Sequence, residues 1–164
     1  ELGKLCVNFY KKNKIATVIK HIPGHGGANL DSHFKLPKIK DTLNLLRKKD
    51  FKCFKNSSSF FAMTAHILYT KIDKKNNATH SKIIINKIIR DEIGFKGVLI
   101  SDDISMKALK YNLIKNAKLA LEAGCNLVLY CSGKAKETKK LLNAMPYIDK
   151  FTAKKTSEFY KFLS

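Results

Sequence analysis

The sequence predicts an α/β protein whose four βα units form half of an eight-stranded parallel barrel. Hydrophobic patterns of helical and strand period alternate along the 164 residues, and the strand segments are short and continuously apolar, as in parallel sheets covered by helices. Polar side chains follow the strands: Lys20, His21, His66, Asp102 and Asp103. Barrel enzymes carry their chemistry at this end of the strands. An open doubly wound sheet is the alternative that chain length alone favours.

Runs of β-branched and aromatic residues mark the strands, and a helical spacing of apolar residues marks the segments between them. The strands are expected at residues 15–19, 59–64, 97–101 and 126–130. The helices are expected at residues 2–14, 39–50, 83–94 and 113–123, with one or two basic helices after the fourth strand. Gly94 and Gly124 are expected to end two of them, because glycine readily adopts the left-handed conformation found at helix C-termini.

Composition excludes several classes of protein. With 45% hydrophobic and 27% charged residues, the chain has too many apolar residues to be disordered. It has no apolar run near the roughly 20 residues that cross a bilayer, so no membrane partner is expected. We expect residues 1–164 to form a single, partial domain. The four cysteines lack zinc-finger spacing and favour a reducing compartment.

The net charge of +19 is a weak signal for nucleic acid. Only Arg47 and Arg90 of the 32 basic residues are arginine, the side chain that nucleic-acid readers use for bidentate contacts. We therefore expect no nucleic-acid partner. The alternative function that the charge leaves open is a non-catalytic half barrel that binds polyanions through its lysine-rich surface, with a steep loss of binding at high salt.

The first polar cluster combines residues 20–26 (KHIPGHG) with Asp31 and His33. In an Asp-x-His segment the carboxylate can orient the imidazole and raise its basicity, which suits an acid/base catalyst. A zinc site of His21, His25, His33 and Asp31 is a second interpretation. Pro23 argues against the helix that would place His21 and His25 on one face, so we expect no metal.

The second polar cluster is residues 101–103 (SDD), at the end of the third predicted strand. Two carboxylates at the end of a buried strand are costly unless they are paired or used. Asp103 is expected to cap the following helix, and Asp102 is the candidate nucleophile. A carboxylate nucleophile facing a proton donor is the minimum that a retaining glycosidase needs.

Together these motifs resemble the bacterial β-N-acetylhexosaminidases of glycoside hydrolase family 3. The similarity extends from about residue 3 to about residue 145 and keeps the order and spacing of the family's motifs. The matching segments are residues 20–33, 36–37, 65–66, 91–98 (DEIGFKGV), 101–106 (SDDISM) and 123–125. Two positions depart from the family pattern: Thr64 stands in place of a proline and Asn126 in place of an aspartate.

The resemblance implies a role for each candidate site residue. Asp102 would attack the anomeric carbon as the nucleophile, and His33 would be the proton donor and acceptor with Asp31 as its dyad partner. Lys20 and His21 would bind sugar hydroxyls. The implied substrate is a terminal β-linked N-acetylglucosamine on muropeptides, released during peptidoglycan recycling in the cytoplasm, and no cofactor is implied.

The resemblance also implies that this chain is the C-terminal half of a (β/α)8 catalytic barrel. The matched region begins near the fourth helix of the family barrel, so the first four strands are expected to be supplied by a complementary N-terminal half. A fragment of a longer enzyme, one product of a split gene and the product of a decaying gene are three open explanations. In each of them we expect residues 1–164 alone to have little or no activity.

Overall fold

The computed structural model describes residues 1–28 and 35–164 of the chain. Its main sheet contains four parallel strands in the order β1 (Val18–Ile22), β3 (Phe61–Thr64), β5 (Val98–Asp103) and β6 (Leu127–Leu129). A small second sheet pairs β2 (Lys38–Ile39) with β4 (Leu68–Tyr69), also in parallel. None of the helices in the described part of the chain is long and apolar enough to cross a membrane.

The order of the strands identifies the kind of α/β fold. Each strand of the main sheet lies beside the strand that precedes it in that sheet, so the chain winds in one direction from β1 to β6. A doubly wound sheet would reverse direction at a switch point, whereas a barrel does not. The four strands with their covering helices therefore confirm the predicted barrel-type architecture.

Helices lie before, between and after these strands, and local sequence signals explain where several of them begin and end. The helices are α1 (Leu2–Lys12), α2 (Leu43–Lys49), the π-helix Ile84–Glu92, α3 (Leu113–Ala123), α4 (Ala135–Ala144) and α5 (Lys150–Leu163). Asn112 accepts a hydrogen bond from the Lys115 amide at the start of α3, and Asp149 accepts one from the Thr152 amide at the start of α5. Gly124 ends α3 with φ of 118°, as predicted.

The main hydrophobic core lies between one face of the sheet and the helices that cover it. Ala62 of β3 and Leu99 of β5 pack there with the isoleucines of the π-helix and the small residues of α3. This pattern explains the strand sequences, because alternate residues point to opposite faces. Phe61 and Met63, on the other face of β3, are only half buried.

Helix α5 passes along the N-terminal ends of the strands. Near its start, Thr152 accepts a hydrogen bond from the side chain of Asn126, which precedes β6. Toward its end, Phe159 contacts the ring of Phe61 in β3, with 4.9 Å between ring centroids. The backbone carbonyl of Phe162 accepts a hydrogen bond from Lys14, ahead of β1. The helix thus contacts segments from both edges of the sheet.

Several elements differ from the sequence prediction. β1 begins at Val18, three residues after the predicted start, because the Ile15 amide still donates to the Tyr10 carbonyl beyond the end of α1. Ile39 belongs to β2 and not to a helix, since it pairs with Tyr69 of β4. The isoleucine-rich helix has π geometry and begins at Ile84.

Candidate functional site

The C-terminal ends of β1 and β5 bring two of the predicted site residues together. Both strands are parallel, so their carboxyl ends reach the same edge of the sheet. The Nε2 atom of His21 lies 3.5 Å from Oδ2 of Asp102, although the two residues are far apart in sequence. Both side chains are partly buried, with 29% and 15% of their surface exposed, so this pair is accessible from solvent.

Burial controls the protonation of His21. Loss of solvation lowers the pKa of the ring below its ordinary value, and the positive side chain of Lys20 and the rings of His25 and His66 act in the same direction. The carboxylate of Asp102 acts in the opposite direction, but the net shift is downward. His21 is therefore mostly neutral near pH 7, and a neutral ring can donate a hydrogen bond from one nitrogen and accept one at the other, for example from a hydroxyl group.

The segment after β1 forms one wall of a cleft of about 490 Å³. The cleft is lined by Lys20, His21, residues 24–27, Asp41, Lys49, Asp50, Cys53 and Phe54. Gly24 has φ of 154°, and a Cβ atom there would overlap the side chain of Asp50. The hydroxyl of Tyr69 donates to the Gly24 carbonyl, and the Gly26 amide donates to Asp50 at 3.3 Å. Glycine is required here because the backbone passes directly against Asp50.

Asp102 and Asp103 perform different structural roles at the end of β5. Oδ1 of Asp102 accepts a hydrogen bond of 2.8 Å from the backbone amide of Asp103, which leaves Oδ2 toward His21. The carboxylate of Asp103 accepts from the Ser105 amide at 3.0 Å, from the Ser105 hydroxyl at 2.6 Å and from the Cys131 amide at 3.2 Å. Asp103 thus caps a turn and not the helix that the sequence predicted.

His66 follows β3 and is fully buried beside Asp103, with 1% of its surface exposed. Its Nε2 atom is 3.1 Å from the backbone carbonyl oxygen of Asp103, and its Nδ1 atom is 2.7 Å from Oγ1 of Thr79. Thr79 in turn contacts Oγ1 of Thr64 at 2.8 Å. The sequence placed His66 at a strand end, but nothing in it pointed to Thr79, which lies 13 positions away in a short 3-10 helix, Ala78–His80.

The proposed acid/base pair lies outside the described residues. The segment 29–34 contains both Asp31 and His33, so the structure does not test their predicted roles. The zinc interpretation used the same two residues with His21 and His25, whose ring centroids are 5.6 Å apart. Within residues 1–28 and 35–164, no cluster of three or more histidine, cysteine or acidic residues has the geometry to hold a metal ion.

The chain is similar in sequence and in fold to known proteins. Residues 1–154 match the profile of the "Glycosyl hydrolase family 3 N terminal domain". A β-hexosaminidase of Nitrosospira multiformis is 35% identical over 80% of this chain. A β-hexosaminidase of Psychromonas ingrahamii is 31% identical over 97% of it. The chain spans only 39% and 47% of the lengths of these two relatives.

Solved structures of the same family superpose on this chain. A glycoside hydrolase family 3 β-N-acetylglucosaminidase from Paenibacillus sp. str. FPU-7 superposes with a TM-score of 0.86 at 27% identity, over 98% of this chain and 33% of that protein. NagZ from Neisseria gonorrhoeae, in complex with N-trifluoroacetyl-D-glucosamine, superposes with a TM-score of 0.78 at 29% identity, over 93% of this chain and 43% of that protein.

Proposed function

The chain belongs to glycosyl hydrolase family 3, and from this membership we propose that it provides the catalytic half of a β-N-acetylhexosaminidase. The observation that carries the proposal is the contact of 3.5 Å between His21 and Asp102 across the carboxyl edge of the sheet. Curated relatives at 31% and 35% identity are β-hexosaminidases, and one structural neighbour binds an N-acylated glucosamine. These names support a substrate with a terminal β-linked N-acetylglucosamine.

The proposed reaction is a retaining double displacement. An oxygen of Asp102 donates an electron pair to the anomeric carbon as the bond from that carbon to the leaving oxygen breaks. The leaving oxygen keeps the electron pair of that bond and takes a proton from His33, which Asp31 would orient. A water molecule then gives its proton to His33 and displaces Asp102, which restores the enzyme. Neutral His21 and charged Lys20 would bind the sugar hydroxyls.

We propose a muropeptide of peptidoglycan recycling as the natural substrate and the cytoplasm as the location. Both follow from the resemblance of residues 20–33 and 101–106 to the bacterial enzymes of the family. Two lysines, two aspartates and His25 line the cleft beside His21, and such polar side chains can bind the hydroxyl groups of a sugar. The catalytic chemistry proposed here uses no cofactor.

We further propose that activity requires a complementary N-terminal half barrel. Among the described residues, edge strands β1 and β6 each pair on one side only. Large apolar side chains are exposed next to both edges: Leu2, Leu5 and Phe9 on α1, and Leu142, Tyr147 and Ile148 around the end of α4. An exposed apolar surface of this kind is typical of an interface. Further β-strands with their helices would pair with both edges and cover these side chains.

A fusion protein tests the proposal. In it, this chain replaces the corresponding residues of the Psychromonas ingrahamii β-hexosaminidase, and hydrolysis of a chromogenic N-acetyl-β-glucosaminide is measured. We expect the fusion to be active, Asp102→Ala to lower kcat by about 10⁴-fold or more because the nucleophile is lost, and residues 1–164 alone to be nearly inactive.

Asp91→Ala is the matched control, because Asp91 is an exposed acidic residue whose only ion pair is with Lys87, at 3.9 Å, within the described residues. We expect its kcat to be unchanged. Retained activity in Asp102→Ala, or an inactive fusion beside an active Psychromonas enzyme, would contradict the proposed function.

A further inference from the structure

His66 has contacts that determine which of its ring nitrogens carries the proton. A backbone carbonyl oxygen can only accept a hydrogen bond, so the contact of 3.1 Å with the Asp103 carbonyl requires a proton on Nε2. Burial is the main influence on the ring and lowers its pKa, so the ring is neutral near pH 7 and carries no second proton. Nδ1 is therefore an acceptor.

The two buried threonines complete a directed chain of hydrogen bonds. The Thr79 hydroxyl lies 2.7 Å from Nδ1 of His66 and 3.2 Å from the Ala65 carbonyl oxygen, and because Nδ1 carries no proton the hydroxyl donates to this nearer acceptor. The oxygen of Thr79 is then free to accept from the Thr64 hydroxyl, at 2.8 Å. The Asp103 carbonyl has a donor only when His66 is in the Nε2-protonated form, so this contact selects that tautomer, and the Thr79 hydroxyl supplies the proton that Nδ1 then lacks.

This series of hydrogen bonds ends at Asp103, the residue that follows the candidate nucleophile Asp102. Both polar groups of the Asp103 backbone are engaged: the carbonyl accepts from His66, and the amide donates to Oδ1 of Asp102 at 2.8 Å. The carboxylate of Asp103 is also fixed, by the Ser105 and Cys131 amides. Asp103 is thus held from three directions, and Oδ1 of Asp102 is held by Asp103. Of the two carboxylate oxygens of Asp102, Oδ2 is the one that faces His21 at the carboxyl edge of the sheet.

We propose that His66 is a positioning residue, which fixes the backbone of Asp103 so that Oδ2 of Asp102 is the attacking oxygen. This inference rests on the proposed glycosidase function, because it assigns an atom to the nucleophilic step. Oδ2 forms the bond to the anomeric carbon, while Oδ1 keeps its hydrogen bond to the Asp103 amide and shares the charge of the carboxylate. His66 itself does not touch the substrate, and acts through Asp103.

Kinetics of the fusion protein separate positioning from folding. His66→Leu removes the donor to the Asp103 carbonyl, and we expect kcat to fall by about 100-fold, the scale of a displaced reacting group, with KM within about threefold. His66→Gln can restore both hydrogen bonds through its amide nitrogen and oxygen, and we expect it to recover kcat to within about tenfold of the unmodified fusion. His80→Phe is the matched control, because His80 is also buried but contacts neither aspartate within the described residues.

Nuclear magnetic resonance of residues 1–164 provides a readout that needs no activity. We expect the nitrogen shifts of His66 to show a proton on Nε2 and none on Nδ1. We also expect the amide signal of Asp103 to move in His66→Leu and to return in His66→Gln. An inactive fusion would contradict the proposed function, and these spectra would still decide the role of His66. A proton on Nδ1 alone, or an unchanged Asp103 signal in His66→Leu, overturns the positioning role, and so do equal losses of kcat in His66→Leu, His66→Gln and His80→Phe.

Discussion

His80 is a buried histidine whose ring lacks one of its hydrogen bonds. It is 8% exposed, and its Nε2 atom has no partner among the described residues, while its Nδ1 atom is 3.4 Å from the side-chain nitrogen of Asn77. Burial lowers the pKa of the ring to about 4, and repulsion by His66, when that ring is protonated in acid, and by Lys110 acts in the same direction. The folded chain therefore resists protonation of this side chain.

Replacement of His80 by phenylalanine is expected to reduce the loss of stability in acid. Between pH 6.5 and about 4 the unfolded chain binds a proton at His80 that the folded chain does not, so stability falls as the pH falls through this window. The loss amounts to about 3 kcal/mol for this residue, at roughly 1.4 kcal/mol for each unit of the shift. Urea unfolding at pH 7 and pH 4.5 measures it. An equal loss of stability in His80→Phe and the unmodified chain would contradict the assignment.

Sequence reasoning reached the polar residues at strand ends but not their supporting contacts. His21 and Asp102 were predictable as neighbours because parallel strands place their carboxyl ends at one edge. The contact between His66 and Thr79 was not, since it depends on how the loop between β3 and the π-helix folds back, and loop paths leave no periodic pattern in a sequence.

Among the helices, the end of α3 shows how closely it packs on the π-helix. A Cβ atom on Gly124 would lie 2.9 Å from Cγ2 of Ile85, and the φ of 118° is unfavourable for any other residue. Gly94 has a φ of 78°, but a Cβ atom there would meet no atom within 4 Å. Gly94 is therefore required only by its backbone conformation, whereas Gly124 is required by its conformation and by the close contact with Ile85.

Alanine at these two positions is expected to have unequal costs. Gly94→Ala should destabilise the chain by about 1–2 kcal/mol, the cost of a left-handed backbone for a residue with a Cβ atom. Gly124→Ala adds the overlap with Ile85, and we expect a total of about 2–4 kcal/mol because overpacking adds to the backbone cost. Denaturant unfolding of both variants tests this difference. Equal losses would show that the contact with Ile85 relaxes freely.

Two elements show where a sequence pattern is insufficient. Ile39 fits a helical face in sequence, but its pairing with Tyr69, 30 positions away, places it in β2. Ile83, Ile84, Ile88 and Ile89 predict a helix correctly, yet nine residues are too few to distinguish a π-helix from an α-helix by spacing. Local patterns thus predicted the kind of element, while distant contacts determined its exact form.

At the scale of the whole molecule, α5 packs across the N-terminal ends of the strands and contacts segments from both edges of the sheet. Its 14 residues extend over about 21 Å, enough to cross four strands that occupy about 14 Å at their usual spacing. Phe159 contacts Phe60 at 5.6 Å and Phe61 at 4.9 Å between ring centroids, and Phe162 contacts Phe60 at 4.8 Å. Lys14 is bonded to the same end of the helix.

Removal of the Phe159 ring is expected to weaken the entire half barrel. Phe159→Ala should lower the free energy of unfolding by about 3 kcal/mol, because a large aromatic contact is lost from the junction of the helix and the sheet. Tyr160→Ala is the control, since Tyr160 is 70% exposed, and we expect a change within about 0.5 kcal/mol. Urea unfolding measures both. Similar effects of the two substitutions would mean that α5 contributes little to the stability of the sheet.

The position of α5 in the chain also has a consequence for synthesis. The ribosome completes all four strands before it makes the helix that joins their N-terminal ends, and the hydrogen bond from Lys14 to Phe162 spans 148 positions. Until Phe159 and Phe162 emerge, the rings of Phe60 and Phe61 lack these partners. A chain stalled before α5 would therefore expose an aromatic surface to chaperones and to aggregation, and α5 covers that surface only after all four strands have been made.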